Sequence, residues 1–450
     1  MSSPVFKCRM VFHQPNSDTS QFGILEVNTP ETGPSKIPHH IILVIDRSGS
    51  MAAKGTDGMS KMEHVQHTIR NMLSYIVSLQ CEISVSLVAF DDQVETIAEN
   101  LPLTEQSLKD LIEACDRIRP LNRTDIGGAL VETERLSNLG ENPVCIVLTD
   151  GCPTSGVCDT NELKAMVPKD AECAFIGYGT DHNANLMVAL SEGHTCENYF
   201  VDSAENAGSV YGEILHGILY LAGTDLEVKT SGCKIYDWKS NSWGDRLSVP
   251  KLPSGVTKVF HLSSKMGPPG DQGWEVVSTP RTATLSLLGE DGQQSIIEVR
   301  DNDSQTEDLT RFILRQQVLE TMSNAASNGS KMEPTEALEA KLKNRIEQAP
   351  EEKLFIDNLL DDLYVTQKSI ESPLGEMFRL ARHSSQGDQR AYNIKNIEAL
   401  VGQGTNDGRG PLPLLRSGRS SNTRVISQAD HSPYAAPSQI GLMRQCSAPF

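Results

Sequence analysis

At 450 residues, with 38% apolar and 22% charged side chains, the chain carries enough material for two or three domains. A formal net charge of −19 excludes a nucleic-acid-binding surface over most of its length. No run of about 18 apolar residues occurs, which excludes a membrane-spanning helix of ordinary length.

The segment MSSPVFKCRMVFHQ has no basic stretch leading into an apolar one, so no secretory signal is expected. Ten cysteines, scattered from Cys8 to Cys446 without framework spacing, predict reduced thiols and an intracellular setting, cytoplasmic in the first place or else nuclear. Residues 1–37 hold two strand-like runs, VFKCRMVF and FGILEV, then a proline-rich linker. A strand pair of this size needs partners elsewhere, and the short strands of residues 224–302 are the expected ones.

Residues 38–223 alternate strand and helix. Ile41–Ile45 is a continuous apolar run, as in a strand covered on both faces of a parallel sheet. Met62, Val65, Ile69, Met72, Ile76 and Leu79 step by three or four along an amphipathic helix. Further strands are expected at Ile83–Phe90, Val144–Thr149, Glu172–Tyr178 and Asn198–Val201, with Val94–Ile97 as a short antiparallel edge. A last helix is expected over about Ala204–Ala222. The alternation predicts an α/β fold with a doubly wound, mostly parallel sheet. His39 and His40, ahead of the first strand, read as solvent-facing or edge residues.

Residues 224–302 are short alternating strands punctuated by Gly, Pro and Asp, which predicts an antiparallel β-sandwich. Residues 303–371 read as a short helical region, and residues 372–450 as a disordered tail rich in Ser, Gly, Arg, Gln and Pro.

The first central strand ends in Asp46-Arg-Ser48-Gly-Ser50. In open α/β sheets the carboxyl edge is where ligands bind. One carboxylate and two hydroxyls spaced by two make a hard, oxygen-only donor set suited to Mg2+, with Mn2+ or Ca2+ as substitutes. Thr124, in LNRTDIGGAL before a helix, and Asp150, in VLTDG after a buried strand, fall where loops should open on the same edge. This combination resembles the von Willebrand factor A domain over roughly residues 38–222, intracellular type, followed by a sandwich and a helical segment. The resemblance implies a metal-ion-dependent adhesion site in which Ser48, Ser50 and Thr124 ligate through hydroxyls and Asp46 and Asp150 act directly or through water. It also implies an open position filled by an Asp or Glu of a protein partner.

Three functions compete on these residues. The first is a non-catalytic, metal-dependent protein-binding module or scaffold. The second is a structural or assembly role with a vestigial site. The third is a Mg2+-dependent phosphohydrolase with Asp46 as nucleophile, which the chemistry disfavours because Ser48 stands where a second carboxylate should. No nucleic-acid partner and no membrane span are expected. Arg444-Gln-Cys-Ser447-Ala-Pro449 matches the R-x-x-S-x-P spacing read by phosphoserine adaptors. Cys152, Cys158, His194 and Cys196 match no zinc template.

Overall fold

The structure is a computed structural model that describes residues 5–13, 20–54, 58–179, 182–193, 195–201, 207–265, 280–289, 292–301, 307–325, 333–369, 373–392 and 433–448. Among the described residues fifteen strands and eleven α-helices follow one another in chain order. β1 (Lys7–Phe12) and β2 (Ser20–Asn28) come first. The central α/β unit then runs β3 (His39–Asp46), α1 (Lys61–Leu79), β4 (Ile83–Phe90), β5 (Val94–Pro102), α2 (Glu105–Cys115), α3 (Ile126–Ser137) and β6 (Pro143–Thr149). It continues with α4 (Thr160–Ala165), β7 (Glu172–Tyr178), α5 (Ala184–Leu190), β8 (Cys196–Val201) and α6 (Ala207–Leu219).

Its six strands lie in the order β5-β4-β3-β6-β7-β8. All neighbours are parallel except β4 and β5. β5 is longer than the expected edge, and its irregular register against β4 accommodates the extra residues. α6 is shorter than expected, because β9 already begins at Leu221. Alternation sorts β3 between two cores. Ile41, Leu43 and Ile45 pack with Val65, Ile69 and Ile214 on one face, while Ile42 and Val44 pack with Ile126, Leu130 and Leu186 on the other. Since helices cover both faces, every residue of β3 is buried. His39 and His40 share this fate, correcting the expectation of solvent exposure. His40 Nε2 lies 2.8 Å from the Ser86 hydroxyl inside the sheet.

The antiparallel part comprises β9 (Leu221–Ser231), β10 (Lys234–Asp237), β11 (Ser242–Gly244), β12 (Arg246–Pro253), β13 (Thr257–Lys265), β14 (Thr282–Leu288) and β15 (Gln294–Arg300). One sheet is ordered β1-β2-β13-β10-β11 and the other β12-β9-β14-β15. Leu25, Val27, Leu226, Val228, Ile235, Leu262 and Leu285 close the core between them.

α7 (Thr310–Asn324), α8 (Glu333–Gln348) and α9 (Lys353–Ser369) share a core of Leu314, Val318, Leu342, Ile356 and Leu363. Leu309 and Phe312 dock the start of α7 on Val11, Ile24 and Val259 of the sandwich. Among the described residues of the stretch expected to be disordered, two segments are helical: α10 (Pro373–Gly387) and α11 (Pro437–Cys446). They are ordered because Met377, Phe378, Leu442, Met443 and Cys446 complete the core beside α6. Residues 393–432 of that stretch, and His194, lie outside the described residues. Among the described residues no helix is long and apolar enough to cross a membrane.

Candidate metal centre

β3 delivers Asp46 at its last position, flanked by parallel strands on both sides, so the carboxylate sits at the carboxyl edge with no exposed surface. The chain then turns sharply. Asp46 Oδ1 accepts the Ser48 amide at 2.7 Å, and Asp46 Oδ2 accepts the Thr149 hydroxyl at 2.6 Å. Burial pushes the Asp46 carboxyl up to about 6, although the bonds from Thr149 and Ser48 favour its charged form. Among the described residues Asp46 has no ion-pair partner. It is a buried carboxylate satisfied only by neutral donors.

From Asp46 a row of oxygens runs outward. The Ser48 and Ser50 hydroxyls lie 3.0 Å apart, and the Ser50 hydroxyl donates to Asp150 Oδ1 at 2.7 Å. Asp150 follows β6 directly, so neighbouring strands bring the two loops together. Thr124 arrives from the loop before α3. Its amide donates to the Thr154 hydroxyl at 2.9 Å, and its carbonyl accepts the Thr154 amide at 2.9 Å. A Cβ added at Gly151 would lie 3.6 Å from Thr124 Oγ1 and 4.0 Å from Ser50 Oγ, so both hydroxyls border the same glycine. The structure thus brings all five expected residues to one rim.

Further contacts fix the loops. The Gly49 amide reaches the Asn122 carbonyl at 3.2 Å, and the Leu121 amide reaches the Arg47 carbonyl at 2.6 Å. Asp125 caps α3 by accepting the Gly128 amide at 2.9 Å. Gly156, at φ +65°, packs so closely on Asp125 that a Cβ there would come within 2.1 Å of Oδ1.

Two participants escape the sequence reading. Thr149 orients Asp46 from the neighbouring strand. Lys61, the first residue of α1, places Nζ 2.8 Å from Asp150 Oδ2. A lysine in a helix's first turn opposes the helix dipole, and that misfit is the signal that could have singled it out. The imagined zinc set does not form: Cys196 is buried in the sheet, whereas Cys152 and Cys158 are exposed in the loop after β6. Among the described residues no group of three or more His, Cys, Asp or Glu converges. The centre here holds two carboxylates and three hydroxyls instead. An uncompensated buried carboxylate with hydroxyls in hydrogen-bonded series fits a hard divalent cation.

The family profile described as von Willebrand factor type A domain matches residues 41–153. The chain carries a von Willebrand factor type A domain. Two solved structures are similar over most of its length. One, von Willebrand factor type A from Catenulispora acidiphila, is 12% identical with a TM-score of 0.54, covering 85% of this chain and 96% of that one. The other, the ArnB paralog VWA2 from Sulfolobus acidocaldarius, is 14% identical with a TM-score of 0.52, covering 88% and 100%. At these identities the likeness concerns the fold. No curated protein matches the chain in sequence. Von Willebrand factor A domains are generally non-catalytic interaction modules, and a domain of this type fits a protein-interaction role.

Proposed function

We propose that the A domain is a divalent-cation-dependent protein-binding module in which Asp46, Ser48, Ser50, Thr124 and Asp150 hold Mg2+, with Mn2+ or Ca2+ as substitutes. The observation that carries this reading is Asp46: a carboxylate with no exposed surface and no cation beside it among the described residues. A bound cation would supply a desolvated positive contact for the Asp or Glu of a partner protein. The chain's own residues do the rest. Thr149 and the Ser48 amide hold Asp46 in place, Thr154 fixes the Thr124 loop, and the surrounding loops select the partner.

Capture of interacting proteins from an extract, with Mg2+ or with chelator, tests the reading. Wild type in Mg2+ should retain partners that both chelator and Asp46→Ala release. Retention that survives both treatments would instead support the assembly role with a vestigial site. Lys61 favours that second reading, since its ammonium already neutralises Asp150 from within. Phosphohydrolysis has less support, because Ser48 supplies no proton-transferring carboxylate.

We place the protein inside the cell on its cysteines: all ten are free, and Cys152 and Cys158 are exposed, a state that a reducing compartment maintains. A second partner class, an adaptor reading phosphoserine at Ser447, follows from the R-x-x-S-x-P spacing alone.

A further inference from the structure

α11 fills a groove between α1 and α6, and the groove is shaped for a helix. On α6, Gly208 and Gly212 let the two backbones touch. A Cβ at Gly208 would stand 2.5 Å from the Cys446 carbonyl oxygen, and one at Gly212 2.5 Å from Met443 Cα. Leu442, Met443 and Cys446 are at most 1% exposed. His216 Nε2 lies 2.9 Å from the Ser438 hydroxyl. At the far end α1 receives carbonyls at and just beyond the end of α11: Asn71 Nδ2 donates to Cys446 O at 3.3 Å and Ala448 O at 3.1 Å, and His67 Nε2 lies 2.8 Å from Ala448 O.

α11 has ten residues, too few to stay helical in water alone. Its order therefore depends on the groove, and leaving the groove means unfolding. The residue that ends it is Ser447, half-buried, its Oγ 3.5 Å from that of Ser209. Ser447 Cα is also among the atoms nearest the Gly208 position, at 2.6 Å from a Cβ there. Three residues earlier stands Arg444, exposed.

We propose that Ser447 is the phosphorylation site of an arginine-directed serine kinase, and that its phosphorylation empties the groove by releasing α11. The kinase transfers the γ-phosphoryl group of ATP to the Ser447 oxygen. The bond from phosphorus to the departing ADP oxygen breaks as the new P–O bond forms, and the hydroxyl proton passes to the kinase's base. Kinases read their substrates extended, so the reaction draws on the released form. Return is then opposed: a phosphoryl group on Ser447 Oγ would have to displace the Ser209 hydroxyl 3.5 Å away, while the tight backbone contact at Gly208 leaves the end of α11 no room to shift aside. The amides at the start of α6 attract anions, but only an anion that fits benefits.

The test uses the full chain, ATP and cAMP-dependent protein kinase, with mass spectrometry locating the phosphate and hydrogen exchange following residues 437–446. Wild type should be phosphorylated at Ser447, and Leu442→Asp, which undocks α11 without altering α6, at least tenfold faster. A chain carrying phosphoserine installed at 447 during translation should exchange its α11 amides at least tenfold faster than wild type. The amides of β3 and β6 should be unchanged. Equal rates for wild type and Leu442→Asp, absence of phosphate at Ser447 in both, or full α11 protection in the phosphoserine chain would each overturn the proposal.

Discussion

Lys61 Nζ lies 2.8 Å from Asp150 Oδ2, on the carboxylate whose other oxygen accepts the Ser50 hydroxyl. The ammonium and a divalent cation would thus compete for one carboxylate. Even at an effective dielectric of about 20, a unit charge about 5 Å from a divalent ion costs several kcal/mol. Lys61 recovers part of that by swinging into solvent. Lys61→Met should therefore tighten Mg2+ binding about tenfold, measured by titration calorimetry. Unchanged or weaker binding would mean that the lysine positions Asp150 rather than opposing the cation.

Asp46 illustrates the tension between site and stability. Its carboxyl is pushed up to about 6 by burial, so holding it ionised at neutral pH costs on the order of 1–3 kcal/mol in the metal-free protein. Asp46→Asn keeps the shape and removes the charge. Without metal the variant should melt several degrees higher than wild type, and it should lose the rise in melting temperature that millimolar Mg2+ gives wild type. A variant less stable than wild type without metal would show that the charge is compensated in a way these contacts do not account for.

How far the sequence disclosed this molecule depended on whether a feature was local. Asp46, Ser48 and Ser50 could be recognised because spacing and a buried strand place them together. Thr124 and Asp150 followed from topology, since adjacent strands of a parallel sheet open their loops on one edge. Lys61 could not be read this way, because its role depends on where α1 begins relative to β6. The polar composition beyond residue 372 was misleading for a different reason. In α10 the polar residues face inward and are satisfied there: Arg382 on Asp362, Ser384 on Asn198, and Ser385 on the Tyr392 carbonyl. Composition measures how polar a segment is, not whether its polar groups find partners.

That internal pairing makes Asp362 and Arg382 a sharp test of α10. Neither is exposed, and Arg382 Nε donates to Asp362 Oδ1 at 2.6 Å, while Gln386 Nε2 donates to Oδ2 at 2.8 Å. Asp362→Ala removes the carboxylate that Arg382 Nε bonds, leaving the buried guanidinium with the Asn358 carbonyl at 3.2 Å and the more distant Asp361 carboxylate at 3.9 Å. The loss should be about 3–5 kcal/mol in urea unfolding. Replacing both partners with apolar residues, Asp362→Leu with Arg382→Met, should recover most of it. A cost below about 1 kcal/mol for the single change would indicate that α10 is not held as described.

Glu213 links α6 to the chain beyond α10, accepting the Ala391 amide at 2.9 Å and the Tyr392 amide at 3.0 Å. Burial raises its carboxyl from 4.5 to about 7, against the opposing pull of Arg390 and of these two amides. Below pH 4.5 the group is protonated whether the chain is folded or not, and its burial carries no ionisation cost. As pH climbs towards 7 the unfolded chain ionises first, so the native state loses relative stability, and above that the loss is constant. Glu213→Gln has no proton to lose. Its stability relative to wild type should therefore rise by up to about 3 kcal/mol between pH 4.5 and 8, with the change confined to that interval. Urea unfolding of both proteins across the range measures the difference. A difference that is flat with pH, or one that falls as pH rises, would show that Glu213 ionises at least as easily in the folded protein as in the unfolded chain.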